Sequence, residues 1–278
     1  MRTRVRPVTA SDLSQAISLA EADPVANCFI ESRLRLAGAD PWRLGGELLG
    51  MFSGGSLTSM IFIGANLVPV QTTAASRAAF ADRLRLLGRR CSSFVGPAEE
   101  VLELWRLLEP AWGPARAVRH CQPLLSIPHA PAFPVDDRVR RVRIDELDLL
   151  LPACIDMFTE EVGVSPVADG ASPAYRARIA DLIHQGRAFA LIEDGTVHFK
   201  AEVGFATTRV CQVQGVWVAP ELRGQGLAAG GMAAVVELAR SGVAPEVSLY
   251  VNDFNTAARK AYQRVGFEQV GTFATVLF

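Results

Sequence analysis

A glycine-rich turn at residues 223–226 is the part of this sequence whose residue types point most directly to chemistry. An apolar run ends at Pro220, and the turn Arg223-Gly224-Gln225-Gly226 leads directly into a predicted helix that begins at Leu227. The two glycines allow backbone N–H groups to converge on one point without intervening side chains. The first-turn amides of the helix have no intrahelical partners, and the helix dipole adds positive charge there. The segment therefore predicts a binding site for a phosphate group.

The spacing within this turn differs from two common nucleotide-binding loops. The GxGxxG spacing of dinucleotide-binding folds is absent, and so is the GxxxxGK spacing of the P-loop. The only lysines of the chain are Lys200 and Lys260, so the turn supplies none that could reach a γ-phosphate. The anion predicted here is therefore neither a dinucleotide nor a nucleoside triphosphate.

A second segment, NDFNTAARKAYQRVGF, follows near the C-terminal end of the sequence. It contains Asn255, Ala258 and Tyr262, followed by the pair Gly266-Phe267. Its apolar positions predict a helix from Thr256 to Val265. Asn255 is well suited to cap the N-terminus of that helix, which would explain it without any ligand.

Together the two segments resemble the motifs of the GNAT acetyltransferase superfamily. The first family pattern is an Arg or Gln, two variable residues, a Gly, one variable residue and a Gly or Ala. In this chain those positions are Arg223, Gly226 and Ala228. The second pattern is an Asn, an Ala three residues later, a Tyr seven residues later and then a Gly-Phe pair, which the segment from Asn255 to Phe267 matches. The resemblance covers about half of the chain and implies an acetyltransferase domain there.

The resemblance implies a role for each matching position. The strand before the turn would diverge from its neighbour, and the pantetheine arm of acetyl-CoA would lie in the opening like an added strand. Tyr262 would act as the general acid for the departing thiolate. The cofactor-binding positions implied in this way are Val216, Trp217 and Val218 on the strand, Arg223, Gly224, Gln225, Gly226, Leu227 and Ala228 in the turn and first helical turn, and Asn255 and Ala258 at the second helix.

Three of the conspicuous positions also have structural interpretations. Tyr262 shares a helix face with Ala258 and Val265, so it can equally be a core tyrosine. Trp217 is expected to be a core residue on the inner face of its strand. The pair Gly230-Gly231 within the predicted helix costs roughly 1 kcal/mol per glycine relative to alanine, and a close approach of the helix to the sheet or to the cofactor would explain it.

The general base of the predicted site has several candidates. Acyl transfer to an amine requires removal of a proton, and many superfamily members carry a glutamate on the strand before the turn. The equivalent positions here are Gln212 and Gln214, which cannot accept a proton and which simple alternation places on the face opposite Trp217. Glu161 and Glu202 are the first candidates for the base. Further candidates are Glu160, His198 and the carboxylate of Phe278. Glu160 and Glu161 are both expected to follow the first helix of this half.

The elements that must position these residues can be predicted for the second half. Asp194-Gly195 between two partly alternating apolar runs indicates a hairpin. Helices are expected at 145–158, 175–185, 227–240 and 256–265, and strands at 188–193, 197–207, 210–219, 247–252 and 267–278. This order indicates an α/β (α+β) fold in which a mixed, mostly antiparallel sheet is flanked by helices.

The first half has a weaker version of the same order. Strands are expected at 46–52, 56–70, 91–95 and 116–127, and helices at 74–87 and 98–108. The sequence has no glycine between Pro69 and Gly88, so this half is expected to lack a pyrophosphate loop. A proline-rich segment then separates the halves. We expect two tandem GNAT-like domains: a degenerate one at 1–127 that shapes the acceptor cleft or the interface between the halves, a linker at 128–137 and an acetyltransferase domain at 138–278.

Composition excludes several other functional classes. The net charge of −1 gives no indication of a nucleic-acid-binding surface. The five cysteines contain no CxxC pair, and the four histidines form no metal-ligand pattern, so neither a disulfide framework nor a metal site is expected. The N-terminal residues form no secretory signal and no apolar stretch is long enough for a membrane span. We expect a cytoplasmic protein, a monomer or a homodimer, without nucleic-acid or membrane partners.

The sequence therefore predicts an acetyl-CoA-dependent N-acetyltransferase that acts on a primary amine of an unidentified small molecule, peptide or protein. Transfer of a longer acyl chain is a variant of the same hypothesis. The alternative is a catalytically silent module that binds acyl-CoA as a sensor or holds a partner protein. The glutamines at 212 and 214 favour the silent module, and Tyr262 favours the enzyme.

Overall fold

A computed structural model describes residues 3–278, with the exception of the side chain of Asp169. The chain forms two compact units. The first unit contains the described residues up to Leu124 together with 250–253 and 269–278, and the second contains 125–249 and 254–268.

Both units contain helices and strands. In the first part of the sequence they are β1 (Thr3–Pro7), α1 (Leu13–Ala20), α2 (Cys28–Ala37), α3 (Pro41–Leu44), β2 (Gly46–Ser53), β3 (Ser56–Gly64), β4 (Asn66–Val70), α4 (Ala74–Leu87), β5 (Ser93–Pro97), α5 (Ala98–Trp112) and β6 (Ala117–Ile127). They continue with β7 (Arg140–Arg141), α6 (Leu147–Val162), α7 (Ser172–His184), β8 (Ala188–Glu193), β9 (Thr196–Ala206), β10 (Val210–Val218), α8 (Leu227–Gly242), β11 (Glu246–Tyr250), α9 (Thr256–Val265) and β12 (Glu268–Leu277).

The first unit is a mixed sheet with helices on both faces. Its strand order is β1-β2-β3-β4-β5-β12-β6, and the pair β4 and β5 is parallel. On one face α1 and α2 pack their apolar residues, including Leu34, against Leu48 and Phe62 of the sheet. On the other face α4 and α5 pack residues such as Phe80 against Phe94 and Ala274.

The second unit repeats this architecture. Its strand order is β6-β11-β10-β9-β8-β7, where β6 contributes only its last residues, 125–127. The strands β10 and β11 are parallel, whereas β7 with β8, β8 with β9 and β9 with β10 are antiparallel. The helices α6 and α7 cover one face, where Cys154 and Ile179 pack against Trp217. The helix α8 covers the other face. The predicted α/β fold with mixed, mostly antiparallel sheets and flanking helices is confirmed.

The structure differs from the predicted elements in several places. The helices α1, α2 and α3 were not recognised in the sequence pattern, and the predicted strand 56–70 is two strands that turn at Ala65. The helix α6 extends four residues beyond its predicted end, so Glu160 and Glu161 lie in its last turn rather than after it. The last strand, β12, lies almost entirely in the first unit, whereas the sequence assigns it to the domain at 138–278.

Candidate functional site

A β-bulge in β10 is the central geometric feature of the candidate site. Gln214 is paired with Glu202 of β9 and Trp217 with Lys200, so β10 has one residue more than β9 over this interval. Gly215 lies in the bulge with φ of +62°, a left-handed conformation that glycine adopts without strain. The bulge shifts the alternation of side chains by one residue.

This shift corrects one prediction about the strand. Simple alternation places Gln214 and Trp217 on opposite faces, but both side chains lie on the face covered by α6 and α7. The extra residue of the bulge is the physical reason. The prediction that Trp217 is a core residue is confirmed, since only 9% of it is exposed and it packs against Met157.

The strands β10 and β11 diverge beyond this point. Their parallel register consists of three residue pairs, from Val210 with Glu246 to Gln212 with Ser248. After Gln212, β10 continues through the bulge to Val218 without pairing with β11. The edge of β10 that faces away from β9 is therefore available at Val216–Val218 for hydrogen bonds to an extended ligand.

The glycine-rich turn lies at the end of the same strand. Gly224 and Gly226 have φ of +77° and +85°, and a methyl group built on either would meet open space. Gly226 is the N-cap residue of α8, so the first-turn amides of the helix follow it directly. The residues from Arg223 to Gly226 are exposed. The turn therefore presents backbone donors and the positive end of a helix dipole to the surface, as predicted for a phosphate site.

The side chain of Arg223 connects this turn to two other elements. Its Nε donates to the carbonyl of Val218 at 3.0 Å, and its Nη2 donates to both carboxylate oxygens of Glu160 at 2.9 and 3.0 Å. Both ionised side chains are about half exposed. The guanidinium group therefore lies between the end of β10 and the last turn of α6.

A cavity of about 470 Å³ lies beside the glycine turn and the first turn of α8, and residues of both line it. Its charged residues form a chain in which Arg138 bonds both Asp136 and Glu193, and His198 lies 3.6 Å from Glu193. His198 thus has a carboxylate neighbour but belongs to this cavity rather than to the opening between β10 and β11. The lining residues are Phe133, Asp136, Arg138, Leu191, Glu193, His198, Leu222, Gln225, Gly226, Leu227 and Gly230.

The helix α9 positions Asn255 and Tyr262. The Asn255 carboxamide oxygen accepts a hydrogen bond from the Ala258 N–H at 3.1 Å, so Asn255 is the N-cap as its structural interpretation predicts. Tyr262 is 6% exposed, and its ring packs edge-on against Phe267. Burial raises the pKa of Tyr262 above its ordinary value, and the negative charge of Glu161 raises it further. Tyr262 is therefore protonated at neutral pH.

Glu202 lies in a buried group of charged side chains on β9. Its carboxylate accepts hydrogen bonds from Arg178 at 3.0 Å and from Gln214 at 2.9 Å, and lies 3.3 Å from the Lys200 ammonium. Burial alone would raise the pKa of Glu202, but the charges of Lys200 and Arg178 outweigh it and the pKa is lowered. A carboxylate with a lowered pKa and two cationic partners is a weak acceptor for a proton.

The glycines of α8 record a close approach between helix and sheet. A methyl group on Gly231 would lie 2.9 Å from ring carbons of Phe199 on β9, a distance that real side chains do not tolerate. At Gly230 the nearest atom would be the Cβ of Asp136 at 3.3 Å. The pair Gly230-Gly231 is thus explained at least at Gly231 by packing of the helix against the sheet.

The corresponding turn of the first unit is occupied by the chain itself. The N–H and hydroxyl groups of Thr72, between β4 and α4, both donate to the Glu100 carboxylate, at 2.8 and 2.6 Å. Arg77 in the first turn of α4 bonds Glu103 and the carbonyl of Thr72. Phe278 also belongs to this unit, where its ring packs against Trp105. Donors at this turn are therefore already paired with a carboxylate.

Within residues 3–278, no helix is both long enough and apolar enough to cross a membrane. The same residues contain no group of three or more His, Cys, Asp or Glu side chains arranged to hold a metal ion.

Comparison with known proteins relates both parts of the chain to protein families. Residues 156–267 match the model of the Acetyltransferase (GNAT) family. Residues 46–150 match a second model, which describes a domain of unknown function (DUF4081). No curated protein has significant sequence similarity to the chain.

Several solved structures share the fold over nearly the full length of the chain. An acetyltransferase from the GNAT family of Colwellia psychrerythraea has a TM-score of 0.60 at 13% identity, with 99% of each chain covered. A tandem GNAT protein from the clavulanic acid biosynthesis pathway has a TM-score of 0.59 at 15% identity, covering 99% of this chain and 98% of its own. A GCN5-related N-acetyltransferase from Sphaerobacter thermophilus has a TM-score of 0.60 at 17% identity, covering 99% and 94%. At these identities the likeness concerns the fold, which is that of tandem GNAT proteins.

Proposed function

Residues 156–267 form a domain of the acetyltransferase (GNAT) family, and from this premise we propose that the protein transfers an acetyl group from acetyl-CoA to a primary amine. One observation carries the proposal. The β10 edge at Val216–Val218 is not paired with β11, and the same strand leads into a glycine turn at the N-terminus of α8. An unpaired strand edge therefore leads to a turn with free backbone donors, and this arrangement supports the binding of an extended molecule that carries a phosphate group, such as acetyl-CoA.

The proposal assigns the cofactor to these two features. Backbone amides from Arg223 to Ala228 bind the pyrophosphate, and the edge of Val216–Val218 pairs with the pantetheine arm. Asn255 and Ala258 at the start of α9 border the pantetheine, although the Asn255 side chain also caps the helix. Arg223 adds a positive charge to the phosphate site when its ion pair with Glu160 breaks and its guanidinium group binds the pyrophosphate instead.

Tyr262 is the proposed general acid. When the amine nitrogen attacks the acetyl carbonyl carbon and the carbon–sulfur bond breaks, the hydroxyl of Tyr262 gives its proton to the departing thiolate. The raised pKa of Tyr262 keeps the hydroxyl protonated before this step. The resulting phenolate recovers a proton from water after the products leave.

Glu161 is the proposed acceptor of the amine proton, directly or through a water molecule. It lies in the exposed last turn of α6, and its charge acts on Tyr262. Glu160 precedes it, so the turn is acidic and attracts a cationic amine. The sequence also predicts Glu202 as a base, but its buried ion pairs favour the structural role developed below.

Calorimetric titration with acetyl-CoA tests the proposal. The unmodified protein should bind acetyl-CoA with micromolar affinity (about −8 kcal/mol). Gly226→Glu should abolish binding for two reasons: its carboxylate would repel the pyrophosphate, and a non-glycine residue is strained at the φ of +85° found here. Gly88→Glu is the matched control, since Gly88 is exposed, has φ of +70° and open space, and lies in the first unit. Absence of binding by the unmodified protein, or equal loss in both variants, would contradict the proposal.

A second candidate function is a silent sensor of acyl-CoA. It is favoured by Gln214, which lies on the strand where many superfamily members carry a glutamate that can accept a proton. The Gln214 carboxamide cannot accept one and instead donates a hydrogen bond to Glu202. Such a module would bind acetyl-CoA as above but would release no CoA in the presence of any amine. Replacement of Tyr262 separates the two functions, as set out in the Discussion.

A further inference from the structure

The charged group on β9 lies directly beneath the β10 bulge. Lys200 and Glu202 are 1% and 4% exposed, and their side chains share the face covered by α6 and α7. A methyl group built on Gly215 would lie 3.0 Å from the Lys200 Nζ and 3.3 Å from the Glu202 Cδ. The ion pair thus contacts the backbone of the bulge without an intervening side chain.

Gln214 ties the ion pair to the strand. Its Nε2 donates to the Glu202 Oε1 at 2.9 Å, and it immediately precedes Gly215. The carboxamide of Gln214 also fills the space beside Gly204, where a methyl group would lie 2.4 Å away. The position of the bulge is therefore fixed by a hydrogen bond on one side and by close packing on the other.

Both members of the pair are ionised. Burial would lower the pKa of Lys200, but the Glu202 charge more than offsets it and the pKa is raised. The pKa of Glu202 is lowered by Lys200 and Arg178 despite its burial. A buried ion pair of this kind is rarely more stable than an apolar pair of the same volume, so stability alone does not explain it.

The choice of lysine is informative in this chain. Lys200 is one of only two lysines, whereas arginine supplies nearly all the other cations. Its Nζ lies 3.5 Å from the Cys154 Sγ, and the Cε of Met157 crowds the same side of Gly215. A compact ammonium fits in this space, whereas the wider planar guanidinium of arginine would displace the bulge.

We infer that Lys200 and Glu202 are positioning residues that hold the β10 bulge, through Gln214 and Gly215, in the shape that keeps the β10 edge open for the pantetheine arm. The second part of this inference, that the β10 edge stays open for the pantetheine arm, rests on the proposed function, because it requires that the protein binds acetyl-CoA. Its structural part, that the pair fixes the backbone of 214–218, is independent of any ligand.

The experiment compares Lys200→Met, the double variant Lys200→Met with Glu202→Gln, and Gln214→Met. Lys200→Met removes the buried cation and leaves the Glu202 carboxylate with Arg178, which is about half exposed, whereas the double variant removes both buried charges of the pair at nearly the same volume. Gln214→Met removes only the tether and is the mildest change if Lys200→Met fails to fold. Glu146→Gln is the matched control, because Glu146 is a buried, ion-paired carboxylate of the same unit that does not contact β10. Lys200→Arg keeps the charge and changes the volume.

Two readouts are measured on each folded variant: amide hydrogen exchange in a peptide spanning 213–219, and the acetyl-CoA dissociation constant. Lys200→Met, Lys200→Arg and Gln214→Met should accelerate exchange in this peptide and weaken acetyl-CoA binding by about ten-fold or more. The double variant should recover most of both properties, and Glu146→Gln should change neither.

The outcomes separate this inference from the proposed function. If exchange at 213–219 stays as in the unmodified protein in all three single variants, the pair does not position the bulge and the inference is overturned, whatever acetyl-CoA does. Exchange that accelerates while acetyl-CoA affinity is unchanged overturns the link to the pantetheine edge. If exchange accelerates in the variants but the unmodified protein does not bind acetyl-CoA, the role of the pair in positioning the bulge is supported and only the proposed function is contradicted.

Discussion

The Arg223 guanidinium and the Glu160 carboxylate form an ion pair in which one nitrogen, Nη2, lies 2.9 and 3.0 Å from the two carboxylate oxygens. Arg223 begins the glycine turn, and Glu160 lies beside Glu161 in the last turn of α6. The arginine of the proposed phosphate site is therefore paired with a carboxylate of the same chain. A pyrophosphate that recruits Arg223 must displace this carboxylate.

Glu160→Gln should consequently bind acetyl-CoA more tightly than the unmodified protein. The pair is half exposed, and exposed pairs are worth at most about 1 kcal/mol, so the gain should be up to about five-fold. Calorimetry at low and high salt measures it, and the gain should shrink as salt increases. Glu237→Gln, an exposed change further along α8, serves as the control. Weaker binding by Glu160→Gln would mean that Arg223 does not serve the phosphate site.

Tyr262→Phe should lower the rate of acetyl transfer by about 10²-fold or more while acetyl-CoA affinity is retained, because only the proton donor is lost. The rate is followed as CoA release with a panel of amines. Tyr175→Phe is the matched control: its buried hydroxyl donates to the Cys154 carbonyl at 3.0 Å, so its loss should lower stability by about 1 kcal/mol with little effect on rate. If Tyr262→Phe turns over as fast as Tyr175→Phe, Tyr262 is a core residue only.

Gly231→Ala should destabilise the protein, because its new methyl group would lie 2.9 Å from the Phe199 ring in a closely packed core. Overpacking of this kind costs about 1–3 kcal/mol. Gly230→Ala is the neighbouring control, in which better helix propensity (roughly 1 kcal/mol) offsets a milder contact at 3.3 Å. Thermal unfolding of the two variants should rank Gly231→Ala clearly below Gly230→Ala. The opposite ranking would show that the helix has room to move away from the sheet.

Glu146 should contribute stability that disappears in acid. Its pKa is lowered to about 2, chiefly by the hydrogen bond from Arg140 and also by the N–H of Arg143. The folded protein therefore binds this proton less readily than the unfolded chain, whose glutamate titrates near 4.5. The difference in the free energy of unfolding between the unmodified protein and Glu146→Gln should be full at pH 7 and should shrink from pH 4.5 towards pH 2. Arg140→Gln should show the same narrowing, and a difference that is constant with pH would contradict this assignment.

The sequence predicted the parts of the site that depend on local spacing. The helix α9 and its cap at Asn255 follow from a capping residue before an amphipathic run, and both are found. The helix α4 has the predicted ends at Ala74 and Leu87, because a threonine before it and a glycine after it are strong local signals. The roles of Tyr262 and of the glycine turn remain predictions that the experiments above test.

The bulge was missed although the sequence contains a signal for it. An isolated glycine within a strand pattern, here Gly215 in VCQVQGVWV, indicates a bulge or a close backbone approach. The charged pair has a signal too, since Lys200 and Glu202 are two residues apart within the apolar stretch 199–203 and so must share a face. What these signals do not contain is the partner strand and its register, which are set by packing between residues far apart in sequence.

The helices α1 to α3 and the placement of β12 were missed for a related reason. The helix α2 has buried Cys28 and Glu31 beside arginines, so its apolar face is weakly marked. The strand β12 is recognisable as a strand, but nothing local distinguishes β5 from any other neighbour. Selection between strand partners is a property of the folded sheet and not of the segment.

The placement of β12 has a consequence for how the chain is made. The first unit joins residues 3–124 to 269–278, and Ala274 and Val276 are fully buried in its core. While the protein is being synthesised, those core positions stay vacant until residue 278 has left the ribosome. A nascent first unit therefore exposes the backbone edge of β5 and the apolar surface around Phe94 throughout elongation of the second unit. Chaperone dependence during translation is the expected result for a unit whose closing strand follows another whole unit in the sequence.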